Sequence, residues 1–226
     1  MIRIAIDGPS GSGKSTVAKA VAKALGIIYV DTGALYRTVG LYVKKKGIEK
    51  TDKSGIISCL PEINIELKYE DGKQTVLLNG ENPGDKIRTP EISMYASAVS
   101  AIPEVREFLL MTQKSIAAKN SVVMDGRDIG TVIIPDADVK IFMSASAECR
   151  ARRRYEELIA KGEKVTFEEV LADMEKRDEK DRSREIAPAT AAPDAVLYDN
   201  TGMSIEENVA NVLEIIKNKI KPGENK

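Results

Sequence analysis

Eight consecutive residues near the start of the chain have the composition and spacing of a phosphate-binding loop. They fit the pattern G-x-x-x-x-G-K-[S/T], follow an apolar run and precede a helical pattern. Glycines let successive backbone N–H groups turn toward phosphate oxygens, and the N-terminus of the next helix favours anions. We expect Lys14 to reach the terminal phosphates and Ser15 to offer its hydroxyl to Mg²⁺. The residues of this P-loop are Gly8, Pro9, Ser10, Gly11, Ser12, Gly13, Lys14 and Ser15.

A dinucleotide site is the competing interpretation of the same region. Asp31 ends the second predicted strand, where an acid that binds ribose would lie. The glycine spacing is not G-x-G-x-x-G, however, and Lys14 and Ser15 have no role in that fingerprint. No Asn-Lys-x-Asp motif, typical of GTPases, is present. A small-molecule kinase fits better, and such an enzyme needs a site for a phosphate acceptor.

The segment from Asp31 to Arg37 is one candidate for the acceptor site. Asp31 closes the second strand, and Tyr36 and Arg37 lie one turn into the next helix. The alternative is an ordinary helix cap at Asp31 or Thr32 with exposed polar residues behind it.

A second candidate follows the third predicted strand directly. Asp125 at that strand end can hold magnesium through water, and we expect Arg127 and Asp128 to point into the crevice beyond the sheet. A capped turn is the alternative interpretation of this segment.

The charged segment from residue 150 to residue 184 carries arginines at helical spacing. Taken alone it is typical of solvated helix faces, but beside a P-loop it predicts a mobile lid that brings guanidinium groups onto polyphosphate. The residues that share faces are Arg150, Arg153 and Arg154 on one helix, and Arg177, Asp181 and Arg184 on another.

These groups must be positioned by alternating strands and helices. Short β-branched runs predict strands at residues 2–6, 27–30, 122–124, 139–143 and 196–198. Amphipathic runs predict helices at residues 14–25, 35–45, 105–118, 147–159, 167–184 and 205–220. The fold class is therefore α/β, with a parallel sheet core that helices cover on both faces.

One region departs from this alternation. Residues 63–68 and 74–79 flank Asp71-Gly72, a hairpin signal, and Asn79-Gly80 offers a second turn. They predict a small antiparallel sheet inserted in the α/β core. The tail, residues 221–226, is expected to fray.

Composition excludes several kinds of chemistry. The chain of 226 residues has no histidine, so His-based triads, His-ligated zinc and His general bases are excluded. The net charge of −1 gives no bias toward nucleic acid or anionic membranes. Cys59 and Cys149 are expected to be free thiols. Without a leader or membrane-spanning run in the sequence, we expect a cytoplasmic protein.

Six motifs in order, IDGPSGSGKST, DTGALYR, IRTPEIS, PEVRE, MDGRDIGT and RDEKDRSREIAP, make the chain similar to the bacterial-type cytidylate kinase family over essentially its whole length. The resemblance implies a P-loop NTPase fold that transfers the ATP γ-phosphoryl group to CMP or dCMP with Mg²⁺. It also implies a core of residues 1–40, 120–149 and 185–226, a monophosphate-binding domain of residues 41–119 with the antiparallel insert, and a lid of residues 150–184.

The resemblance assigns roles residue by residue. Arg37 and Arg127 are implied at the acceptor phosphate and Arg184 over the acceptor. The residues implied at the cytosine are Ser97, Arg106 and Asp128, and those implied at the pentose are Arg177 and Asp181. Ser15 and Asp125 are the expected magnesium residues. The ATP set is Gly8, Pro9, Ser10, Gly11, Ser12, Gly13, Lys14, Ser15, Thr16, Arg150 and Arg154. The CMP set is Thr32, Tyr36, Arg37, Ser97, Arg106, Arg127, Asp128, Arg177, Asp181 and Arg184. The catalytic set is Lys14, Arg127, Arg153, Arg177 and Arg184.

Two positions depart from this family, Thr32 where serine is common and Ser144 where an aspartate can follow the fourth strand. Three other functions stay open: a P-loop kinase for UMP or a non-nucleotide acceptor, an ATP-dependent binding module, and a nucleic-acid-binding ATPase. We expect small-molecule partners only, no membrane and a monomer.

Overall fold

The computed structural model describes residues 1–70 and 73–220, in two compact units. Within those residues the first unit comprises 1–27 and 121–220, and the second comprises 28–70 and 73–120. The predicted turn at Asp71-Gly72 and the predicted fraying of residues 221–226 lie outside the described residues.

The strands and helices are numbered in chain order. The strands are β1 (Arg3–Asp7), β2 (Ile28–Asp31), β3 (Ile65–Glu70), β4 (Lys73–Leu78), β5 (Val122–Gly126), β6 (Val139–Ser144) and β7 (Val196–Asp199). The helices are α1 (Lys14–Leu25), α2 (Thr32–Lys45), α3 (Lys53–Cys59), α4 (Pro90–Val99), α5 (Pro103–Lys119), α6 (Ala147–Ala160), α7 (Phe167–Arg182) and α8 (Ile205–Ile220). A π-helical turn, Ile129–Ile133, follows β5.

The first unit is organised by a parallel sheet in which β5, β1, β6 and β7 lie side by side in that order. Ile4 and Ile6 of β1 and Val123 of β5 are fully buried, as a sheet covered on both faces requires. The register places Asp7 of β1 opposite Gly126 of β5. The P-loop and the segment after β5 therefore leave the sheet at the same edge.

Helices of the first unit pack on this sheet and on one another. Helix α1 packs against β5 and α8, and α8 buries Asn208, Val212 and Ile216 at four-residue spacing. Helices α6 and α7 pack together around Leu158, Val170 and Met174. The parallel sheet and its helices confirm the predicted fold class.

The second unit has its own apolar core. Helix α2 packs against α4 and α5, with Leu35, Val39 and Val43 fully buried. Strands β3 and β4 pair antiparallel, which confirms the small inserted sheet. Asn79 and Gly80 both have positive φ, and Leu78 bridges Glu81 across them, so the second predicted turn forms.

Helix α4 is the principal element that the periodicity of the sequence does not predict. Its start carries two ordinary signals, because the Thr89 hydroxyl accepts a hydrogen bond from the Ile92 N–H and Pro90 occupies the first turn. Helix α7 begins at the predicted residue and ends at Arg182, two residues before the predicted end. Its start is fixed by a capping box between Thr166 and Glu169.

Candidate active site

The P-loop joins β1 to α1, as the sequence predicts. Gly13 precedes α1 with φ of 83°, and glycine has no side chain that could cap the first N–H groups of the helix. Gly8 has φ of 151°, and a Cβ there would lie 2.0 Å from the Met143 carbonyl oxygen. Glycine at both positions therefore gives the loop the shape in which its N–H groups can bind an anion.

Side chains from distant parts of the chain hold the carbonyl oxygens of this loop. The Asn200 amide donates to the Ser12 carbonyl at 2.8 Å, and Arg153 donates to the same oxygen at 3.4 Å. Arg150 donates to the Ser10 carbonyl at 2.9 Å. Arg153 and Arg150 thus both contact the P-loop, which their helical spacing alone did not specify.

Lys14 lies in the P-loop and is only 7% exposed. Its Nζ donates to the Pro9 carbonyl at 3.1 Å. Burial, together with the positive charge of Arg127, lowers the pKa of Lys14 to about 7. This concentration of positive charge is a setting in which a polyphosphate anion is stabilised.

The oxygens that could hold magnesium are already together. The Ser15 hydroxyl donates to the Asp125 carboxylate at 2.6 Å, and Asp125 is buried at the end of β5. Among the described residues no group of three or more Asp, Glu, Cys or His side chains could hold a metal by itself. A hydroxyl and a carboxylate suit Mg²⁺, which completes its coordination with water and substrate phosphates.

Three predicted residues form one cluster beside β5 and α7. Arg127 Nε donates to Asp181 Oδ2 at 3.0 Å, and Arg184 donates to the other oxygen of the same carboxylate. Burial opposes ionisation of Asp181, but Arg127, Arg184 and Arg177 outweigh it and lower its pKa. A carboxylate whose ionised form is favoured therefore bonds two guanidinium groups.

The remaining predicted residues of the first unit divide between buried and exposed positions. Asp128 is buried at the start of the π-helical turn, and its backbone carbonyl accepts from the Val132 and Ile133 N–H groups. Arg154 is half-buried and pairs with Glu157 on its own helix at 2.8 Å. Thr16 is exposed in the first turn of α1.

The second unit brings together four of its predicted residues in two pairs. Asp31 caps α2 through the Ala34 N–H and accepts from Arg37 at 2.8 Å, so it fills the helix-cap role and also orients an arginine. The Arg106 guanidinium lies 5.6 Å from the centre of the Tyr36 ring. Thr32 is buried at the start of α2, and Ser97 lies on α4. The sequence did not predict the contact of Asp31 with Arg37 or that of Tyr36 with Arg106.

Sequence reasoning missed three polar residues of the first unit, Asp7, Asp178 and Asn200, all of them buried. Asp7 accepts from the Ile129 and Gly130 N–H groups, both at 2.8 Å. Two of the three could have been identified from their positions in the sequence, because Asp7 ends β1 immediately before the P-loop and Asn200 directly follows β7.

Asp7 predicts a pH dependence of stability. Burial raises its pKa to about 7, against the opposing effect of the two N–H bonds. The folded protein then holds a proton that the unfolded chain releases near its ordinary pKa of 3.8, so the contribution of Asp7 to stability is lost as the pH rises toward 7. The free energy of unfolding should fall between pH 5 and pH 8 by on the order of 2 kcal/mol more in the wild type than in Asp7→Asn.

Urea denaturation of the two proteins at pH 5, 6, 7 and 8 measures this difference. The slope with pH is the readout, since the substitution also changes stability by a constant amount. Parallel pH profiles would contradict the prediction.

The P-loop lies between a parallel strand and a helix. A lysine, a hydroxyl and a carboxylate of the kind that bind magnesium, and several arginines lie around it. These features define the class of P-loop kinases. A family model described as cytidylate kinase matches residues 4–218. The chain belongs to the cytidylate kinase family.

Within the described residues, no helix is both long and apolar enough to cross a membrane.

Curated relatives match the chain over nearly its whole length. A protein named cytidylate kinase from Fervidobacterium nodosum is 54% identical over 215 residues, which cover 95% of this chain and 96% of the relative. One with the same name from Caldicellulosiruptor bescii is 50% identical over 223 residues, with 97% and 99% coverage. The crystal structure of an uncharacterized protein from Eubacterium ventriosum ATCC 27560 has a TM-score of 0.55 at 16% identity, covering 96% of this chain and 98% of that one. That likeness concerns the fold alone.

Proposed function

We propose that this protein phosphorylates CMP and dCMP, with ATP as the donor and Mg²⁺ as the cofactor. The observation that carries the proposal is the match of residues 4–218 to the cytidylate kinase family. The P-loop with buried Lys14 supports the ATP half of the reaction, and the guanidinium cluster around Asp181 supports handling of a second phosphate.

The reaction needs no histidine base. A nucleotide 5′-phosphate, like phosphoserine, has a second pKa near 6 and is already mostly dianionic at pH 7. It can therefore attack the γ-phosphorus without first losing a proton. This agrees with a chain that contains no histidine at all.

The main obstacle is repulsion between the two anions. Two like charges about 4 Å apart cost roughly 4 kcal/mol at an effective dielectric of 20, and several such pairs meet during transfer. We propose that Lys14, Arg127 and Arg184 offset this repulsion and that Asp181 holds two of them in place. Positioning and electrostatic stabilisation then supply most of the rate.

Magnesium would be held by Ser15 and Asp125. When bound, Mg²⁺ neutralises charge on the phosphate oxygens of ATP. The hydrogen bond between Ser15 and Asp125 keeps both oxygens at the N-terminus of α1.

The further assignments follow the family resemblance. For ATP we propose Gly8 through Thr16 with Arg150 and Arg154, and Arg153 in the catalytic set. We propose that Arg37 and Arg127 contact the acceptor phosphate, and that Arg184 closes over the acceptor. The other proposed CMP residues are Thr32, Tyr36, Ser97, Arg106, Asp128, Arg177 and Asp181. We also propose the functional division into a core, a monophosphate-binding domain of residues 41–119 and a lid of residues 150–184.

The deciding experiment measures ADP formation from ATP and Mg²⁺ with CMP, dCMP, UMP and AMP as separate acceptors at equal concentration. Turnover with CMP and dCMP far above the other two is expected. Equal turnover with UMP would give a broader pyrimidine kinase, and no turnover with any acceptor would refute the proposal.

Asp128→Asn should change the choice of base. Cytosine presents an amine donor where uracil presents an acceptor, so a carboxylate favours cytosine and an amide can serve either base. We expect the ratio of kcat/KM for CMP to that for UMP to fall by about 10- to 100-fold, corresponding to roughly 1–3 kcal/mol. Asp136→Asn, on an exposed loop, is the matched control. An unchanged ratio would remove Asp128 from base recognition.

We further propose that the protein acts as a monomer in the cytoplasm. Light scattering coupled to size-exclusion chromatography should give the mass of one chain, 24.7 kDa. A mass of about twice that value would contradict the monomer.

A further inference from the structure

Asp178 on α7 connects that helix to the P-loop. Its side chain is 9% exposed, and one oxygen accepts from Arg150 Nη1 at 2.5 Å. The other oxygen accepts from the Ser10 N–H at 3.3 Å. Arg150 in turn donates to the Ser10 carbonyl at 2.9 Å and to the Ala145 carbonyl at 3.0 Å. The Asp178 carboxylate and the Arg150 guanidinium group therefore bond the N–H and the carbonyl of the same P-loop residue, Ser10.

A second contact lies one turn earlier on the same helix. Met174 packs beside Gly11, where an added Cβ would come within 2.6 Å of the methionine Cε. Met174 and Asp178 are four residues apart and so lie on one face of α7. Two successive turns of α7 thus rest on Ser10 and Gly11.

The next turn of α7 carries the other carboxylate. Asp181 is three residues after Asp178 and bonds Arg127 and Arg184. The helix therefore has one carboxylate directed to the P-loop and another directed to the guanidinium cluster. A single helix therefore contacts both the P-loop and the two arginines.

Stability alone does not explain the buried ion pair of Asp178 and Arg150. A buried pair gives up hydration that a packed apolar pair would not, and its net contribution to stability is often near zero. What such a pair does supply is a fixed geometry, because both charged groups must keep their partners. Arg150 has three hydrogen-bond acceptors in fixed positions, so little freedom remains for Asp178.

We infer that Asp178 is a positioning residue for phosphoryl transfer: through Arg150 and Ser10 it fixes α7 on the P-loop and so aligns the guanidinium cluster with the phosphates of ATP. The inference rests on the proposed function. None of the roles assigned above includes Asp178, which acts through other residues and does not touch the reacting atoms.

The test compares Asp178→Asn with Asp173→Asn. Asparagine keeps the size of the side chain and an acceptor for the Ser10 N–H, but it removes the charge opposite Arg150. Asp173 is exposed on the same helix and provides the matched control. At a temperature well below both Tm values, kcat with CMP should fall about 10- to 100-fold in Asp178→Asn and stay within twofold in the control.

Two further readouts separate positioning from mere stabilisation. The fraction of ATP hydrolysed by water, relative to CMP phosphorylated, should rise in Asp178→Asn because the phosphates are less well enclosed. In a double-mutant cycle, Asp178→Asn should lower kcat much less in an Arg150→Gln background than in the wild type, because the contact between the two side chains is already broken there and any ATP contact of Arg150 is lost on both sides of that comparison. A lowered Tm with unchanged kcat would overturn the inference, and so would full additivity of the two substitutions.

Asp178→Glu serves if the asparagine variant does not fold. It keeps the charge but displaces the carboxylate by one methylene, so kcat should fall while Tm changes little, and wild-type kcat would overturn the inference. Hydrogen exchange of α7 amides with a non-hydrolysable ATP analogue needs no acceptor. The wild type and Asp173→Asn should be protected there and the variant at Asp178 should not. Equal protection overturns the inference, whereas failure of the wild type to phosphorylate CMP overturns only the proposed function.

Discussion

Replacing Lys14 with alanine should lower kcat/KM for ATP by about 10³-fold, because it removes the buried cation that we propose binds the terminal phosphates. The side chain is enclosed, and its burial together with Arg127 lowers its pKa to about 7. Burial and the charge of Arg127 both disfavour the protonated form of Lys14 in the free protein. A bound phosphate anion compensates for the lost hydration and offsets the repulsion from Arg127, so it stabilises the cation strongly. Steady-state kinetics with CMP as acceptor measure the effect.

The same substitution should leave the fold intact. The Lys14 ammonium group donates to one backbone carbonyl, that of Pro9, and its removal relieves repulsion within a cationic cluster. We therefore expect Tm to be unchanged or slightly higher. Lys19→Ala, on the exposed side of the same helix, is the matched control and should keep wild-type kinetics. Retained turnover in Lys14→Ala would remove the P-loop lysine from the mechanism.

The P-loop and the parallel sheet could be predicted because their signals are local. Gly8, Gly13 and Lys14 lie within one short motif, and the strands that flank the core are continuous apolar runs. Ser15 and Asp125 were both predicted as magnesium residues, Ser15 from the P-loop motif and Asp125 from its place at a strand end, and the structure brings their side chains together.

The side chains that hold the P-loop could not be predicted from the sequence, because the groups they bond are backbone atoms. Asn200 bonds the Ser12 carbonyl and Asp178 bonds the Ser10 N–H, and every residue in a sequence offers such groups equally. The face of a helix can be derived from spacing, whereas the acceptor that a guanidinium selects depends on tertiary structure. Arg150 and Arg154 share a face by spacing, yet one bonds the P-loop and the other bonds Glu157.

The residues that we propose for the acceptor site also show that a motif can be recognised without its contacts being predictable. Asp31 was predicted to cap a helix or to serve the acceptor, and it both caps α2 and pairs with Arg37. The contact of Tyr36 with Arg106 joins residues from two helices with no signal in their local sequence. Position in a motif made these residues candidates, and only the fold shows which partner each one has.

Arg127→Ala should give a loss comparable to that of Lys14→Ala, a fall in kcat of about 10³-fold. Arg127 bonds Asp181 at 3.0 Å, and of the neighbouring charges it has the largest effect on the pKa of Lys14. Its guanidinium group therefore belongs to the cationic cluster that we propose faces the phosphates. Folding should survive, because Asp181 keeps its pair with Arg184 and the charge of Arg177 and is not left as an isolated buried anion.

Arg127→Lys and Arg182→Ala complete this experiment. Lysine restores the charge without the planar fork, so we expect it to recover only about tenfold of the lost rate. Arg182 pairs with Glu179 on the exposed face of α7, and its removal should change kcat less than twofold. A rise in KM for CMP with kcat unchanged would mean that Arg127 binds the acceptor equally in the ground state and the transition state. The proposed mechanism requires the opposite, because the guanidinium group must gain most when charge accumulates on the phosphoryl group in transit.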